Sequence, residues 1–214
     1  IVSGEDPLER YTLTNDFYMM DTEFTQQSYL TLVGRNDGYY KNCGSDCPAQ
    51  QVSWHQAALV ANILSQKIGL EECYDCTLTD ENDPTTLQTC ESDFAGSDIY
   101  GCEGFRLPTE AEWEFLARAG SSGLFHVYEI NNEETEVSED MSLSACSANT
   151  SGLSDIANYC GSNTQMGVEP VGSRLANPWD LYDVVGNVRE WVGELYMGYD
   201  ANAVYEPFMG TMFE

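Results

Sequence analysis

The chain has 214 residues, and its 36 acidic side chains outnumber its 8 lysines and arginines to give a formal net charge of −28. This field repels nucleic acid and anionic membrane surfaces, which excludes both as partners, and no apolar run approaches the roughly 18 residues that span a bilayer. The same charge attracts cations. Bound divalent metal is the specific interpretation of that attraction, and solvated acidic surface is the alternative.

Three segments carry the signals of capped helices, at residues 25–33, 53–69 and 108–120. In the second segment, Ser53 opens a Ser-x-x-Gln capping box, and apolar residues recur at helical spacing until a glycine ends the helix. In the third, Thr109 and the glutamate three residues later form another box, and Gly120 supplies the stop.

Strand signals are fewer and shorter, at residues 10–13, 17–20 and 187–192. Residues 71–103 hold ten acidic residues, four cysteines and no Lys or Arg, which indicates a cross-linked surface insertion rather than a core element. Residues 129–145 are similarly polar and are expected to form a long loop. No repeat or low-complexity linker divides the chain, so we predict a single α+β domain over the whole sequence, 1–214.

The isolated polar and aromatic side chains are interpreted as structural. His55 and His126 have no Cys or Ser partner in a motif. Trp113 and Trp191 are expected in the core. Three carboxylates fall in the first turns of the third helix, where negative charge offsets the helix dipole: Glu110, Glu112 and Glu114. No catalytic residue is therefore predicted.

Eight cysteines, an even number in polar surroundings, favour disulfides and an extracellular, cell-surface or periplasmic protein. Zinc is the alternative for the closely spaced pairs, but no histidine lies near either. Pairing cannot be read from sequence, since eight cysteines allow 105 connectivities. The chain begins with Ile1 rather than Met, which we interpret as a mature or trimmed product. The cysteines are Cys43, Cys47, Cys73, Cys76, Cys90, Cys102, Cys146 and Cys160.

Four stretches together resemble the formylglycine-generating-enzyme, or sulfatase-modifying factor, family. The first two are YTLTNDFYMMDTEFTQQSYLTLVG and QQVSWHQAALVANILSQKIGL, with Gln51 where proline is usual. The others are GFRLPTEAEWEFLARAG and PVGSRLANPWDLYDVVGNVREWV, with Asp180 where glycine is usual. The resemblance implies a C-type-lectin-like α+β fold that is rich in loops. Such a fold has few short strands and about three helices, and calcium and disulfides stabilise it.

The resemblance also implies a calcium ion at the last motif. Carried over to this sequence, the ligands are the side chains of Asp183 and Glu190 and the carbonyls of Gly186 and Val188. Calcium takes six to eight oxygens from carboxylates and carbonyls, and a glycine turn can direct two carbonyls inward. From the spacing alone, the alternative is a tight turn with two solvated acids.

A second calcium site is implied less strongly. Asn149 and the carbonyl of Thr150 fall where the family places its first ligands, and a later partner falls near Asn163, where Asp is more usual. Asn149, Thr150 and Ser151 also form a glycosylation sequon. A glycan on Asn149 would exclude that side chain from a metal site, so the two interpretations are exclusive.

Catalytic members of the family oxidise a cysteine in a substrate peptide with copper, which two cysteines of a C-terminal segment hold. The sequence to Glu214 does not contain that segment, and none of its cysteines can be assigned the role; copper is expected only if the segment exists. Cys146 and Cys160 flank the late-middle loop and are expected to bridge to each other or to the insertion.

The resulting prediction is a non-catalytic, calcium-stabilised extracellular binding or assembly module. A C-type-lectin-like body without its last strands has an unpaired sheet edge, which another chain or a clipped remainder of the same precursor would complete. One alternative is a copper oxidase of peptide cysteine whose catalytic segment lies outside this sequence. A glycan-binding lectin is a further alternative, by analogy of fold class alone.

Overall fold

We describe a computed structural model of the chain, over residues 12–92, 96–120, 129–130, 133–134, 153–159 and 167–193. The regular structure of these residues is α+β, as predicted. In chain order its elements are α1 (Gln26–Val33), α2 (Trp54–Ile68), β1 (Tyr74–Leu78), β2 (Leu87–Ser92), α3 (Glu110–Arg118), β3 (Glu129–Ile130), β4 (Glu133–Glu134) and α4 (Leu153–Ile156). Three short 3₁₀ turns accompany them: Lys41–Cys43, Pro84–Thr86 and Gly96–Gly101. No helix in these ranges is long and apolar enough to cross a membrane.

The three predicted helices form because their caps satisfy the first free amides. The Ser53 hydroxyl accepts a hydrogen bond from the Gln56 amide, and the Gln56 side chain returns the bond to the cap backbone. Thr109 and Glu112 form the same reciprocal box at the start of α3. Thr25 caps α1 by accepting from the amide of the third helical residue.

One predicted helix end is displaced by a residue. We expected α3 to stop at Gly120, whereas Ala119 already adopts the left-handed conformation, with φ 45°. The Ala119 amide donates to the carbonyls of Phe115 and Leu116, which closes the last turn of the helix. The left-handed residue is therefore an alanine, and Gly120, with φ 84°, follows it.

The predicted strands at 17–20 and 187–192 are not formed. Residues 17–20 alternate in exposure as a strand would, but they pair with no neighbouring strand among the described residues. In 187–192, the Asn187 amide donates to the Asn158 carbonyl and the Val188 amide to the Glu23 side chain, so these residues form no strand ladder. Residues 12 and 13 lie outside any strand, and the rest of predicted strand 10–13 falls outside the described residues.

The main core packs α2 against an antiparallel β1–β2 hairpin. The hairpin pairs Tyr74 with Ser92 and Cys76 with Cys90, with a register irregularity near its turn. The segment 71–103 is cross-linked, as predicted, but it contributes to the core, so the expectation that it is not a core element is wrong. Its acidic residues alternate outward while its cysteines and Tyr74 face inward. The buried members of this core are Ala58, Leu59, Ala61, Cys73, Tyr74, Cys90 and Cys102.

Three disulfides tie these elements together: Cys43–Cys47, Cys73–Cys102 and Cys76–Cys90. The first cross-links a loop after α1, the second closes a separation of 29 residues, and the third joins β1 to β2. The zinc alternative is therefore wrong, since each of these six cysteines is bonded to another. Cys146 and Cys160 lie outside the described residues, but the expected alternative that they bridge to the insertion is wrong, because its four cysteines pair with one another.

Two smaller clusters complete the packing. Tyr29 and Val33 of α1 pack on Val60 of α2, which joins the first two helices. Ile156 and Ala157, at the end of α4, are buried beneath a group that includes Val185. The second of these clusters supports the chain segment that carries the last sequence motif.

A buried ion pair fixes the start of α3. The Arg106 guanidinium donates to both oxygens of Glu112 at 2.7 Å, and the Thr109 amide donates to one of them at 2.8 Å. Glu112 is only 1% exposed. Burial alone would raise the pKa of Glu112, but the bonds from Arg106 and Thr109 outweigh it and lower that pKa. The structural interpretation of Glu112 is confirmed.

We expect Glu112→Gln to destabilise the protein by about 3 kcal/mol, because it leaves the Arg106 guanidinium largely buried and without its charge partner. Gln56 performs the same capping role in α2, so the substitution keeps the cap and isolates the ion pair. The matched control is Glu114→Gln, since Glu114 pairs with Arg118 on the exposed face at 2.7 Å and should contribute about 0.5 kcal/mol or less. Denaturant unfolding measures both, and equal losses would contradict the assignment.

Candidate metal centre

The turn over residues 183–190 has an unusual backbone that its sequence explains. Asp183, Gly186 and Asn187 all have positive φ, at 58°, 94° and 53°. Asp and Asn tolerate this region better than other residues with a Cβ. A Cβ on Gly186 would lie 2.4 Å from the carbonyl oxygen of Asn158, so only glycine allows the two backbones to approach. The glycine of the motif is therefore required by packing as well as by conformation.

The side chain of Asn187 ties this turn to three other segments. Its Oδ1 accepts from Asn158 Nδ2 at 3.2 Å and from the Glu169 amide at 3.0 Å. Its Nδ2 donates to the Glu169 carbonyl at 3.2 Å and to Glu23 Oε2 at 2.6 Å. The Asn187 amide also donates to the Asn158 carbonyl at 2.8 Å. The hydrogen bonds of the Asn187 side chain thus hold the turn in place, where a strand ladder would do so in a sheet.

Both predicted carboxylate ligands are held by donors from other parts of the chain. Asp183 is 4% exposed, and its Oδ2 accepts from the Gly172 amide at 2.6 Å. Glu190 is exposed as a residue, but its Oε2 accepts from the indole Nε1 of Trp113 at 2.7 Å. Each carboxylate keeps an oxygen to which no such bond is assigned, which leaves lone pairs for a further partner.

A third carboxylate, which the sequence did not reveal, joins the other two. Glu23 is 7% exposed, and its Oε1 accepts from the Val188 amide at 2.9 Å. It lies 165 residues before that amide, and no local spacing points to it. Its charge interacts with those of Asp183 and Glu190. The structure therefore places a third acidic side chain in contact with the predicted turn, at Val188 and Asn187.

Negative charge at this turn is poorly compensated in the protein alone. Burial raises the pKa of Glu23 to about 8, and repulsion from Asp183 and Glu190 adds to that effect against two hydrogen bonds that oppose it. Burial likewise raises the pKa of Asp183, and desolvation of the carboxyl group raises that of Glu190, although the residue as a whole is exposed. Among the ion pairs of the described residues, none includes any of these three groups.

The donor types at the turn fit calcium. Carboxylate and carbonyl oxygens are the ligands that a hard cation prefers, and the uncompensated negative charge would favour its binding. Within the part of the chain that the structure covers, no three His, Cys, Asp or Glu side chains form a metal-binding group by themselves. The predicted set needs only two such side chains, with Gly186 and Val188 supplying carbonyls. The other predicted set, Asn149, Thr150 and Asn163, lies outside the described residues.

The tryptophans near the turn only partly match their predicted core positions. Trp113 is half-buried and holds Glu190, as described above. Trp191 was expected in the core but is 51% exposed, because its indole lies at the surface and donates to the Val52 carbonyl at 2.8 Å. His55 contacts the backbone of Cys90 through Nδ1, at 2.9 and 3.1 Å, in keeping with a structural role. His126 lies outside the described residues.

Comparison with known proteins decides the family. The profile of the sulfatase-modifying factor enzyme 1-like domain matches residues 2–213. The chain belongs to the FGE-sulfatase family. The residues quoted above as resembling the formylglycine-generating enzymes are therefore motifs of this family in their expected order.

Individual relatives match parts of this FGE-sulfatase domain. The chaperone protein LppX of Paenibacillus barcinonensis is 31% identical over 84% of this chain and 62% of its own length. The formylglycine-generating enzyme of Mycobacterium tuberculosis is 39% identical over 41% of this chain and 26% of its own length. The inactive C-alpha-formylglycine-generating enzyme 2 of Bos taurus is 36% identical over 45% and 29%, respectively. The chain thus spans less than two thirds of each of these relatives.

A solved structure supports the fold assignment. Treponema denticola variable protein 1 matches 85% of this chain and 63% of its own, with 25% identity and a TM-score of 0.60. The likeness extends over most of the FGE-sulfatase domain and is therefore not limited to the single motif at the turn.

We expect the ion-free protein to lose stability as the pH rises from 4.5 to about 8. Glu23 has a folded pKa raised from 4.5 to about 8, so its favourable contribution is complete below pH 4.5 and is lost as the pH passes the folded value. A pKa difference of one corresponds to about 1.4 kcal/mol, so the total is on the order of 5 kcal/mol. Melting curves in chelator across this range measure it.

Glu23→Gln removes the titrating group and is expected to flatten that pH dependence in chelator. The raised pKa values of Asp183 and Glu190 have the same sign, so some slope remains in the variant. A melting temperature that rises with pH in the ion-free wild type, or a slope that Glu23→Gln leaves unchanged, would contradict this electrostatic description.

Proposed function

We propose that this chain is a non-catalytic binding or assembly module, on an FGE-sulfatase scaffold of C-type-lectin-like type that calcium stabilises. The observation that carries the proposal is a glycine turn that holds Asp183 and Glu190 by donors from elsewhere in the chain and contacts the buried Glu23, in a fold whose six described cysteines are all in disulfides. The acidic turn supports a structural cation. The paired cysteines support a role in which thiol chemistry takes no part.

Calcium would be held by the carboxylates of Asp183 and Glu190 and the carbonyls of Gly186 and Val188. A bound divalent cation would offset the repulsion among the three acidic groups, which is the chemistry that it supplies. Calcium suits such a set better than magnesium, because it accepts six to eight oxygens in flexible geometry. The cation then stabilises a turn that has no strand ladder to hold it.

The three disulfides support an exported location, since such bonds persist in oxidising compartments. We infer a protein partner in that compartment. Phe115 and Trp179 form an aromatic pair with ring centres 5.0 Å apart, and they remain 50% and 42% exposed. Exposed aromatic side chains are enriched where proteins bind one another. The edges of the β1–β2 ribbon also suit addition of an extended segment of the partner.

Two of the relatives support a role other than oxidation. LppX is named a chaperone, and the bovine relative is named an inactive formylglycine-generating enzyme. One fold can carry different functions, so membership of the family does not assign oxidase activity to this chain. The likeness to the Mycobacterium tuberculosis enzyme favours a second candidate function, a copper oxidase of peptide cysteine.

We expect calcium to raise the melting temperature of the chelator-treated protein. Ligand at about 100 times its dissociation constant adds about 2.7 kcal/mol to the folded state. For a chain of this size that corresponds to roughly 5–11 °C. Glu190→Gln should remove most of this gain, because it deletes one ligand charge while the amide oxygen can still accept from Trp113.

The charge-matched control for that experiment is Glu91→Gln, since Glu91 is exposed on β2. Its calcium response should equal that of the wild type. A wild-type melting temperature that is the same with calcium and with chelator would overturn the calcium part of the proposal.

The proposal that the module is non-catalytic predicts no copper-dependent oxygen consumption with a cysteine-containing peptide. The physical reason is that each described cysteine is bonded to another, so none of the six can supply a thiolate to copper. An oxygen electrode measures the rate, with the Mycobacterium tuberculosis enzyme as positive control. Peptide-dependent consumption above the copper-only background would favour the oxidase instead.

A further inference from the structure

Glu23 stands apart from the predicted calcium ligands, yet it contacts the turn that carries them. It lies two residues before Thr25, the cap of α1, and the flanking backbone is fixed because the Ala49 amide donates to the Phe24 carbonyl at 2.7 Å. The backbone that carries the buried Glu23 carboxylate is therefore held in a fixed position relative to α1. The bonds that it makes there go to Val188 and Asn187.

The bond from Val188 acts on a peptide group between the two predicted carbonyl ligands, and the bond from Asn187 Nδ2 holds the side chain of the residue between them. A trans peptide is planar, with its N–H and C=O directed oppositely. The Asn187 amide donates to the Asn158 carbonyl at 2.8 Å, which fixes the direction of the Gly186 carbonyl. The Val188 amide donates to Glu23 Oε1 at 2.9 Å. This bond fixes the Asn187–Val188 peptide, and so limits the directions that the Val188 carbonyl can take.

The backbone at this point needs such support. Gly186 and Asn187 are consecutive residues in the left-handed region, which chains adopt as single residues more readily than in succession. No strand ladder runs through 187–192 to hold them. Glu23 accepts the hydrogen bonds that a neighbouring strand would otherwise accept, and in its ionised form it adds a negative charge to the turn.

We propose that Glu23 is a positioning residue of the cation site: it holds the Asn187–Val188 peptide so that the Val188 carbonyl is available to the ion, and it adds attraction without being a ligand. This inference rests on the proposed calcium site. Groups that orient metal ligands from the outer shell commonly affect affinity by about 10–100-fold when mutated.

Two substitutions separate positioning from charge. Glu23→Gln removes the charge and the bond from Asn187 Nδ2, because an amide nitrogen cannot accept it, while the amide oxygen can still accept from the Val188 amide. Glu23→Ala removes the charge and both hydrogen bonds. Glu91→Gln, at an exposed site on β2, changes the net charge by the same amount and serves as control. Calcium titration of the chelator-treated full chain by calorimetry gives the dissociation constant of each variant.

The expected result is a loss of calcium affinity of about 10-fold in Glu23→Gln and up to about 100-fold in Glu23→Ala. Glu91→Gln should keep the wild-type value to within about twofold, because the control lies away from the turn. If wild type binds calcium and both Glu23 variants bind it equally well, the positioning role is wrong while the calcium site stands. If wild type binds no calcium, the proposed site itself is wrong.

A second readout reports the ligand shell directly. Terbium replaces calcium in oxygen sites, and its luminescence lifetimes in H₂O and D₂O count the waters bound to it. We expect one more water in Glu23→Ala than in wild type, because the unheld Val188 carbonyl is replaced by solvent, and no added water in Glu23→Gln. An unchanged count in Glu23→Ala would overturn the positioning role. If Glu23→Ala does not fold, Glu23→Met takes its place in both measurements, because it keeps the length of the side chain and removes the acceptor; an unchanged water count in that variant overturns the positioning role.

Discussion

A side-chain amide can donate two hydrogen bonds and accept two, and the side chain of Asn187 makes all four. Its partners lie near residues 23, 158 and 169, so one side chain joins three distant segments to the turn that follows Asp183. No strand ladder connects these segments in the described part of the chain. This one side chain holds Glu23 against the turn, while the Gly172 amide and the Trp113 indole hold Asp183 and Glu190.

Two other buried asparagines also bond the backbone of distant segments. Asn62 is 1% exposed, and its amide bonds the backbone of residues 73 and 74, which attaches the hairpin to α2. Asn177 is 3% exposed and joins the Leu116 carbonyl to the amides of Trp179 and Leu181. Buried backbone groups must be paired, and a fold with few strands lacks the usual partners. Buried asparagines take that place and make the loops specific.

The sequence allowed prediction of those features that depend on near neighbours in the chain. The capping boxes at Ser53 and Thr109 need residues three positions apart, so all their information is local. The strand at 17–20 failed because alternation shows a pattern of exposure and cannot show that a partner strand exists. Composition misled in 71–103, where acidic residues on outward positions concealed inward ones. Glu23 was missed because its contact with the turn spans 165 residues.

Buried carboxylates are compensated in two different ways in this protein. At Glu112, the Arg106 guanidinium binds both oxygens and lowers the pKa of the carboxyl, so the negative charge is neutralised within the fold. At the turn, Arg174 already gives two nitrogens to Glu169 and only partly offsets Asp183. Protonation of Glu23 relieves part of the repulsion, and under the proposed function a bound cation relieves it instead. Under the proposed function, ion binding and folding of this turn are then one equilibrium, so the stability of the domain would follow the calcium concentration of its surroundings.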